Sequence, residues 1–157
     1  MHLKLYKKEK LREINRSCSL VSVIGYGTFI SCGIWRTKKN VEICEVKDYI
    51  RIFPKGHWYP FILPSEGSSF YALKFDITKE ELRELDFFEG VSENYFKREI
   101  IEVYRKNNEK IQAFIYLPTD QLITKHKLSV SLDDKDKWKE EIKKDSEIIE
   151  KFPELIL

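Results

Sequence analysis

The chain is poor in the residues that punctuate or staple a fold. Six glycines and five prolines in 157 residues make no linker, and no repeat or low-complexity segment divides the chain, so a single domain over residues 1–157 is expected. Three cysteines, Cys18, Cys32 and Cys44, form no C-x-x-C pair and leave one thiol over in any disulfide scheme. No apolar run approaches the roughly 20 residues needed to span a bilayer. The opening stretch, Met1 to Lys10, has no apolar segment of the kind a signal peptide carries. The expectation is a reduced, soluble, cytoplasmic protein with no membrane partner. Charge of one sign is missing as well: 28 Lys and Arg against 26 Asp and Glu leave a formal +2. That balance gives no nucleic-acid footprint, and the short basic clusters at Lys7–Lys8 and Arg36–Lys39 read as solvated surface.

Catalytic and metal signatures are scarce too. His2, His57 and His126 lie far apart, and none has ligand spacing with another His or a Cys, so no metal and no organic cofactor is implied. No Ser-His-Asp signature is present, and nothing local supports a Cys32–His57 nucleophile pair. Chemistry in this chain is not expected to use a side-chain nucleophile.

What is present is apolar and aromatic. Hydrophobic residues make up 42% of the chain, with eight Tyr, ten Phe and three Trp, enough to build a core and to exclude a disordered chain. Leu20–Ile24 reads as a buried strand, broken by Gly25-Tyr26-Gly27-Thr28. Val41–Val46, Tyr49–Phe53 and Phe70–Ile77 read as further strands, with loops over residues 54–60 and 64–69. Thr78 and Glu81 spell a capping box that opens a helix, and Gly90 suits the left-handed residue that closes it. Glu99–Tyr104 and Ile111–Leu117 flank a polar turn as a hairpin. A short helix around Lys8–Asn15 and a strand through Leu128, Val130 and Leu132 are expected at the margins. A charged helix over about 134–151, ahead of Pro153, carries an apolar stripe of Trp138, Ile142, Ile149 and Phe152. Its i,i+4 ion pairs would be Glu140–Lys144 and Glu147–Lys151. Many short strands with few helices point to an α+β fold, a curved sheet or small barrel.

Two features suggest chemistry. Gly25-Tyr26-Gly27-Thr28-Phe29-Ile30 lacks the third glycine of a dinucleotide fingerprint, and no Lys-Ser or Lys-Thr pair makes it a phosphate loop. It reads either as a plain turn or as a nest of amides for an anion or developing oxyanion. Glu89 shares a helix face with Leu82 and Leu85, beside Phe88 and just before Gly90. It reads either as a surface carboxylate on a frayed turn or as a partly desolvated one whose pKa is raised into the range of general acid/base work.

These pieces, in this order, resemble the γ-glutamyl cyclotransferase-like family. Tyr26-Gly27-Thr28-Phe29 after an apolar strand resembles the family's Tyr-Gly-Ser/Thr-Leu loop, and Leu85-Asp86-Phe87-Phe88-Glu89-Gly90 resembles its Leu-Asp-x-x-Glu-Gly signature. Tyr95 stands where the family has a following tyrosine, Tyr59-Pro60 is similar to a pair in the γ-glutamylamine branch, and Ala113–Tyr116 looks like the last barrel strand. The match covers residues 20–117 as a core, leaving 118–157 as a C-terminal extension. Departures are Ser31–Ile34 in place of a basic stretch, Ala72 and Lys74 for Gly and Glu, and Arg98 one place beyond the usual Tyr-x-Arg. The resemblance implies a small mixed β-barrel with flanking helices and a small-molecule γ-glutamyl substrate that cyclises to 5-oxoproline and expels an amine. It implies Glu89 as general acid/base, the amides of Gly27, Thr28 and Phe29 around Tyr26 as the oxyanion and positioning loop, and Tyr95 and Tyr116 as pocket walls. The alternatives are a non-catalytic binding module on the same fold, or an interaction protein whose exposed Trp138 stripe docks a partner. No oligomeric state is implied.

Overall fold

The computed structural model describes residues 4–10, 19–57, 59–126 and 136–157. Residues 4–10 are an exposed helix, α1, beginning before the helix expected around Lys8–Asn15, of which only Lys8–Lys10 lie within the described residues. The expected strand through Leu128–Leu132 lies outside the described residues.

Five strands, β1 (Leu20–Gly25), β2 (Lys39–Ile52), β3 (Phe61–Thr78), β4 (Phe96–Arg105) and β5 (Lys110–Pro118), close a barrel in the order β1-β3-β2-β4-β5. All neighbours are antiparallel except β1 and β5, which meet in parallel at Val23 and Phe114 and make the barrel mixed. Side chains alternate across the strands, so neighbouring residues of β1 and β3 face different cores. Ile24 and Ala72 join Cys44, Val46, Val103, Ala113 and Ile115 in one cluster filling the barrel. Their neighbours Val23, Leu73, Phe75 and Ile77 face the other way, into a cluster with the helical residues Leu82, Leu85, Trp138, Ile142 and Ile148. Both faces are thus spent on cores.

Two expectations are corrected. The strands over Val41–Val46 and Tyr49–Phe53 are one strand, β2, and the loop expected at 64–69 lies within β3. Asp48 adopts a left-handed backbone (φ 65°) opposite Gly67 (φ 83°), and the Gly67 amide donates to the Asp48 carboxylate at 3.0 Å. The register slips there, between Lys47↔Ser69 and Tyr49↔Pro64. Residues that punctuate a loop in sequence form a bulge within a ladder instead.

Between β3 and β4 runs α3 (Lys79–Phe88), opened by the expected capping box: the Glu81 amide donates to Thr78 Oγ1 and the Thr78 amide to the Glu81 carboxylate, both at 3.1 Å. After β5 come α4 (Asp120–His126), α5 (Lys137–Ile142) and α6 (Ser146–Lys151). The charged segment is therefore two short helices in place of one over 134–151. Asp145 starts the second by accepting from the amides of Glu147 and Ile148. The break shifts the helical phase, so Ile148 is buried where Ile149 was expected, and the first ion pairs form at i,i+3, Glu140–Lys143 and Glu141–Lys144. Glu147–Lys151 forms as expected. Trp138 and Ile142, each 2% exposed, are spent on this protein's own core, which removes the exposed stripe that the interaction reading needed.

Candidate functional site

The glycine turn at the end of β1 is built by close approach. A Cβ on Gly25 would stand 3.1 Å from Phe29 Cβ and 3.2 Å from an edge atom of Phe75. On Gly27 it would stand 3.2 Å from Pro60 Cδ, so the turn presses against the Tyr59–Pro60 loop. One helical turn, α2 (Thr28–Ser31), follows. The Gly27 carbonyl accepts from the amides of Ile30 (3.0 Å) and Ser31 (3.1 Å), while the amides of Thr28 and Phe29 donate to no protein acceptor among the described residues.

Glu89 arrives from the opposite side as the residue that ends α3, its amide bonded to the Leu85 carbonyl at 2.9 Å. Gly90 then takes the left-handed conformation expected of it (φ 64°, ψ 39°), and its carbonyl accepts from the Tyr95 amide at 3.1 Å, turning the chain back over the cleft. The Glu89 carboxylate is half-buried and meets no hydrogen-bond donor among the described residues. Burial pushes its pKa up to about 7. The same charge, after burial itself, raises the pKa of Tyr26 and Tyr59.

Between turn and carboxylate lies a cleft of about 530 Å³. All seven residues singled out from the sequence line it: Tyr26, Gly27, Thr28, Phe29, Glu89, Tyr95 and Tyr116. The two deeper tyrosines contribute rings more than hydroxyls. Tyr26 donates its hydroxyl to the Tyr116 carbonyl at 2.6 Å, and Tyr116 donates its own to Asp86 Oδ1 at 2.6 Å. Arg98 donates to the other Asp86 oxygen at 2.6 Å and lies over the Phe114 ring, so the arginine displaced by one position is linked to Tyr116 through Asp86. Burial, then the bond to Asp86, raises the Tyr116 pKa far above its ordinary value.

Of the remaining wall the sequence pointed only to Tyr59, through the Tyr59-Pro60 pair. His57, Tyr59, Phe61 and Phe96 pack along one side, His57 on Tyr59 and Phe61 on Phe96 edge to face and the other pairs tilted, with centroids 5.3–5.8 Å apart. Phe87 and Phe88 stand exposed at the rim, and Glu93 and Lys125 bring charge to it, the Lys125 ammonium lying 5.5 Å from the Tyr95 ring centre. Two consecutive, exposed aromatics on a helix that otherwise segregates its apolar face were the available signal for the rim. For His57 and Lys125 no local signal existed. Among the described residues no cluster of His, Cys, Asp and Glu could hold a metal ion, and no helix is long and apolar enough to cross a membrane.

Solved structures with the same barrel include a γ-glutamyl cyclotransferase (15% identity, 71% of this chain and 83% of that one, TM-score 0.56). An AIG2-like protein from Mus musculus is 18% identical over 74% of this chain and 86% of its own, with a TM-score of 0.54. An Arabidopsis thaliana protein solved in solution is 25% identical over 87% of this chain and 90% of its own, with a TM-score of 0.58. No curated protein matches in sequence. The family model described as γ-glutamyl cyclotransferase, AIG2-like, matches residues 23–140, from the middle of β1 through the cleft residues and into α5. By that match, three quarters of its length, the chain belongs to the AIG2-like γ-glutamyl cyclotransferase family.

Proposed function

We propose that the cleft cyclises a γ-glutamyl amide or peptide to 5-oxoproline and releases an amine. The observation that carries this reading is a half-buried carboxylate, Glu89, that meets no donor among the described residues and lines the same cleft as the glycine turn.

The substrate supplies its own nucleophile. Its α-amine attacks the γ-carbonyl, the new C–N bond closes a five-membered lactam, and the original amide C–N bond breaks. Because both reacting groups belong to one molecule, the cleft needs only to hold the chain folded back on itself. Glu89 accepts the proton the α-amine sheds and delivers it to the leaving nitrogen. An ordinary carboxylate is a poor base for an ammonium group, and a pKa raised to about 7 narrows that gap. The amides of Thr28 and Phe29, which donate to no acceptor among the described residues, suit, with Gly27 beside them, the oxygen that gathers charge in the tetrahedral intermediate. Tyr95 and Tyr116 hold the aliphatic chain between their rings. The Tyr59-Pro60 pair, whose Pro60 presses against Gly27, supports a γ-glutamylamine as the substrate, within the branch that carries this pair.

The test is 5-oxoproline release, read by mass spectrometry, from γ-glutamylamines, γ-glutamyl dipeptides and glutathione. Release that ceases in Glu89→Gln is the expected result. No release from any member by folded protein would turn the reading towards a binding module.

A further inference from the structure

Resting on that reading, we infer that Trp138, in the C-terminal segment, is a positioning residue for the oxyanion turn. Trp138 does not line the cleft. It lies behind the turn, 2% exposed, and its indole N–H donates to the Gly27 carbonyl at 3.0 Å across 111 residues of sequence.

One peptide unit joins the two sides. In a trans peptide the C=O of Gly27 and the N–H of Thr28 point in opposite directions. Pinning the carbonyl towards Trp138 therefore aims the Thr28 amide away from it, on the side where Thr28 borders the cleft. The indole is itself held. The Arg51 guanidinium lies 4.4 Å from the Trp138 ring centre and pairs with Asp136 at 3.3 Å, and Asp136 caps α5 by accepting from the Lys139 amide at 2.8 Å. Two further contacts tie the same C-terminal segment to the chain just after the turn: Phe152 packs edge-on against Trp35, and Arg36 reaches Asp145 and Glu147. The segment after β5 thus sets the orientation of a peptide whose other end faces the substrate.

The test uses the full chain with Trp138→Phe, which keeps an aromatic ring and removes the donor. The expected result is faster hydrogen exchange at the Ile30 and Ser31 amides, which share the Gly27 carbonyl, and a fall in kcat of about tenfold with KM changed less than threefold. The pH midpoint assigned to Glu89 should stay in place, separating a misaimed turn from a disturbed base. Arg51→Met, which removes the cation over the ring and leaves the donor, should show the same changes at smaller size and stands in should Trp138→Phe not fold. Unaltered exchange in folded variants, or unaltered kcat in a protein that releases 5-oxoproline, would overturn the inference. Faster exchange in a protein that releases no 5-oxoproline would keep the clamp and sink the reaction.

Discussion

Asp86 and Glu89 stand one turn apart at the end of α3, and only Asp86 has its charge answered. Asp86 takes a hydrogen bond from Tyr116 and another from Arg98, each at 2.6 Å. Glu89 has no donor among the described residues, and burial lifts its pKa to about 7. The same helix end thus anchors one carboxylate and leaves the next, whose pKa burial raises, to exchange a proton. Glu89→Gln keeps size and shape, so it should abolish the exchange and lower 5-oxoproline release by at least a hundredfold, with an unchanged circular dichroism spectrum.

The pH profile follows from the same carboxylate. Glu89 must be ionised to accept the substrate's proton, so kcat/KM should rise through a midpoint near pH 7 and level above it. A rising limb centred near pH 4.5, the ordinary value for a glutamate, would contradict the assignment.

Stability should run the other way. Folding raises the Glu89 pKa from an ordinary 4.5 to about 7, so the fold favours the protonated acid. That preference is fully present below pH 4.5 and is lost as pH rises through 7. Replacing the acid by a neutral amide removes the loss. Denaturant melts should find Glu89→Gln more stable than the wild type by on the order of 2 kcal/mol at pH 8, with the advantage vanishing by about pH 4.5.

Anchoring Asp86 has its own signature. In Asp86→Ala the Tyr116 hydroxyl and the Arg98 guanidinium lose their acceptor together. A stability loss of about 1–3 kcal/mol is expected from urea melts, with KM raised more than kcat is lowered because a wall of the cleft loosens.

Gly90→Ala tests the other end of α3. The left-handed φ of 64° disfavours any L side chain, and the new Cβ would stand 2.7 Å from Cδ2 of Tyr95. Strain of about 1–2 kcal/mol and a displaced Tyr95 should lower the thermal midpoint and raise KM.

The sequence carried the site better than it carried the sheet. Glu89, Gly90, Gly27 and the capping box at Thr78 are local in origin: each follows from a helix end or a turn a few residues long, so spacing alone places them. The bulge at Asp48 and Gly67 is a pairing between two distant segments, and neither segment alone distinguishes it from a loop. The division between α5 and α6 turns on one side chain, Asp145, choosing to cap a second helix in place of continuing the first. The bond from Trp138 to Gly27 spans 111 residues and had no local trace. His57 and Lys125 reach the cleft for the same reason, through tertiary placement of a loop and a helix.

The single parallel contact that closes the barrel, Val23 against Phe114, governs the order in which the molecule can be made. Its partners are about 90 residues apart, so closing that loop opposes assembly by about 4 kcal/mol of chain entropy before any packing is gained. On the ribosome, β1 emerges early and must wait with its outer edge unpaired until β5 has been synthesised. Tyr26 waits with it, since the carbonyl it bonds belongs to Tyr116. The β4–β5 hairpin, whose contacts are local, can form as a unit and deliver the closing edge in one step. Until then an apolar strand is open to pairing with another chain, so crowding and slow elongation would draw nascent protein towards aggregation. The cleft, which takes Tyr26 from β1 and Tyr116 from β5, cannot exist before the barrel closes.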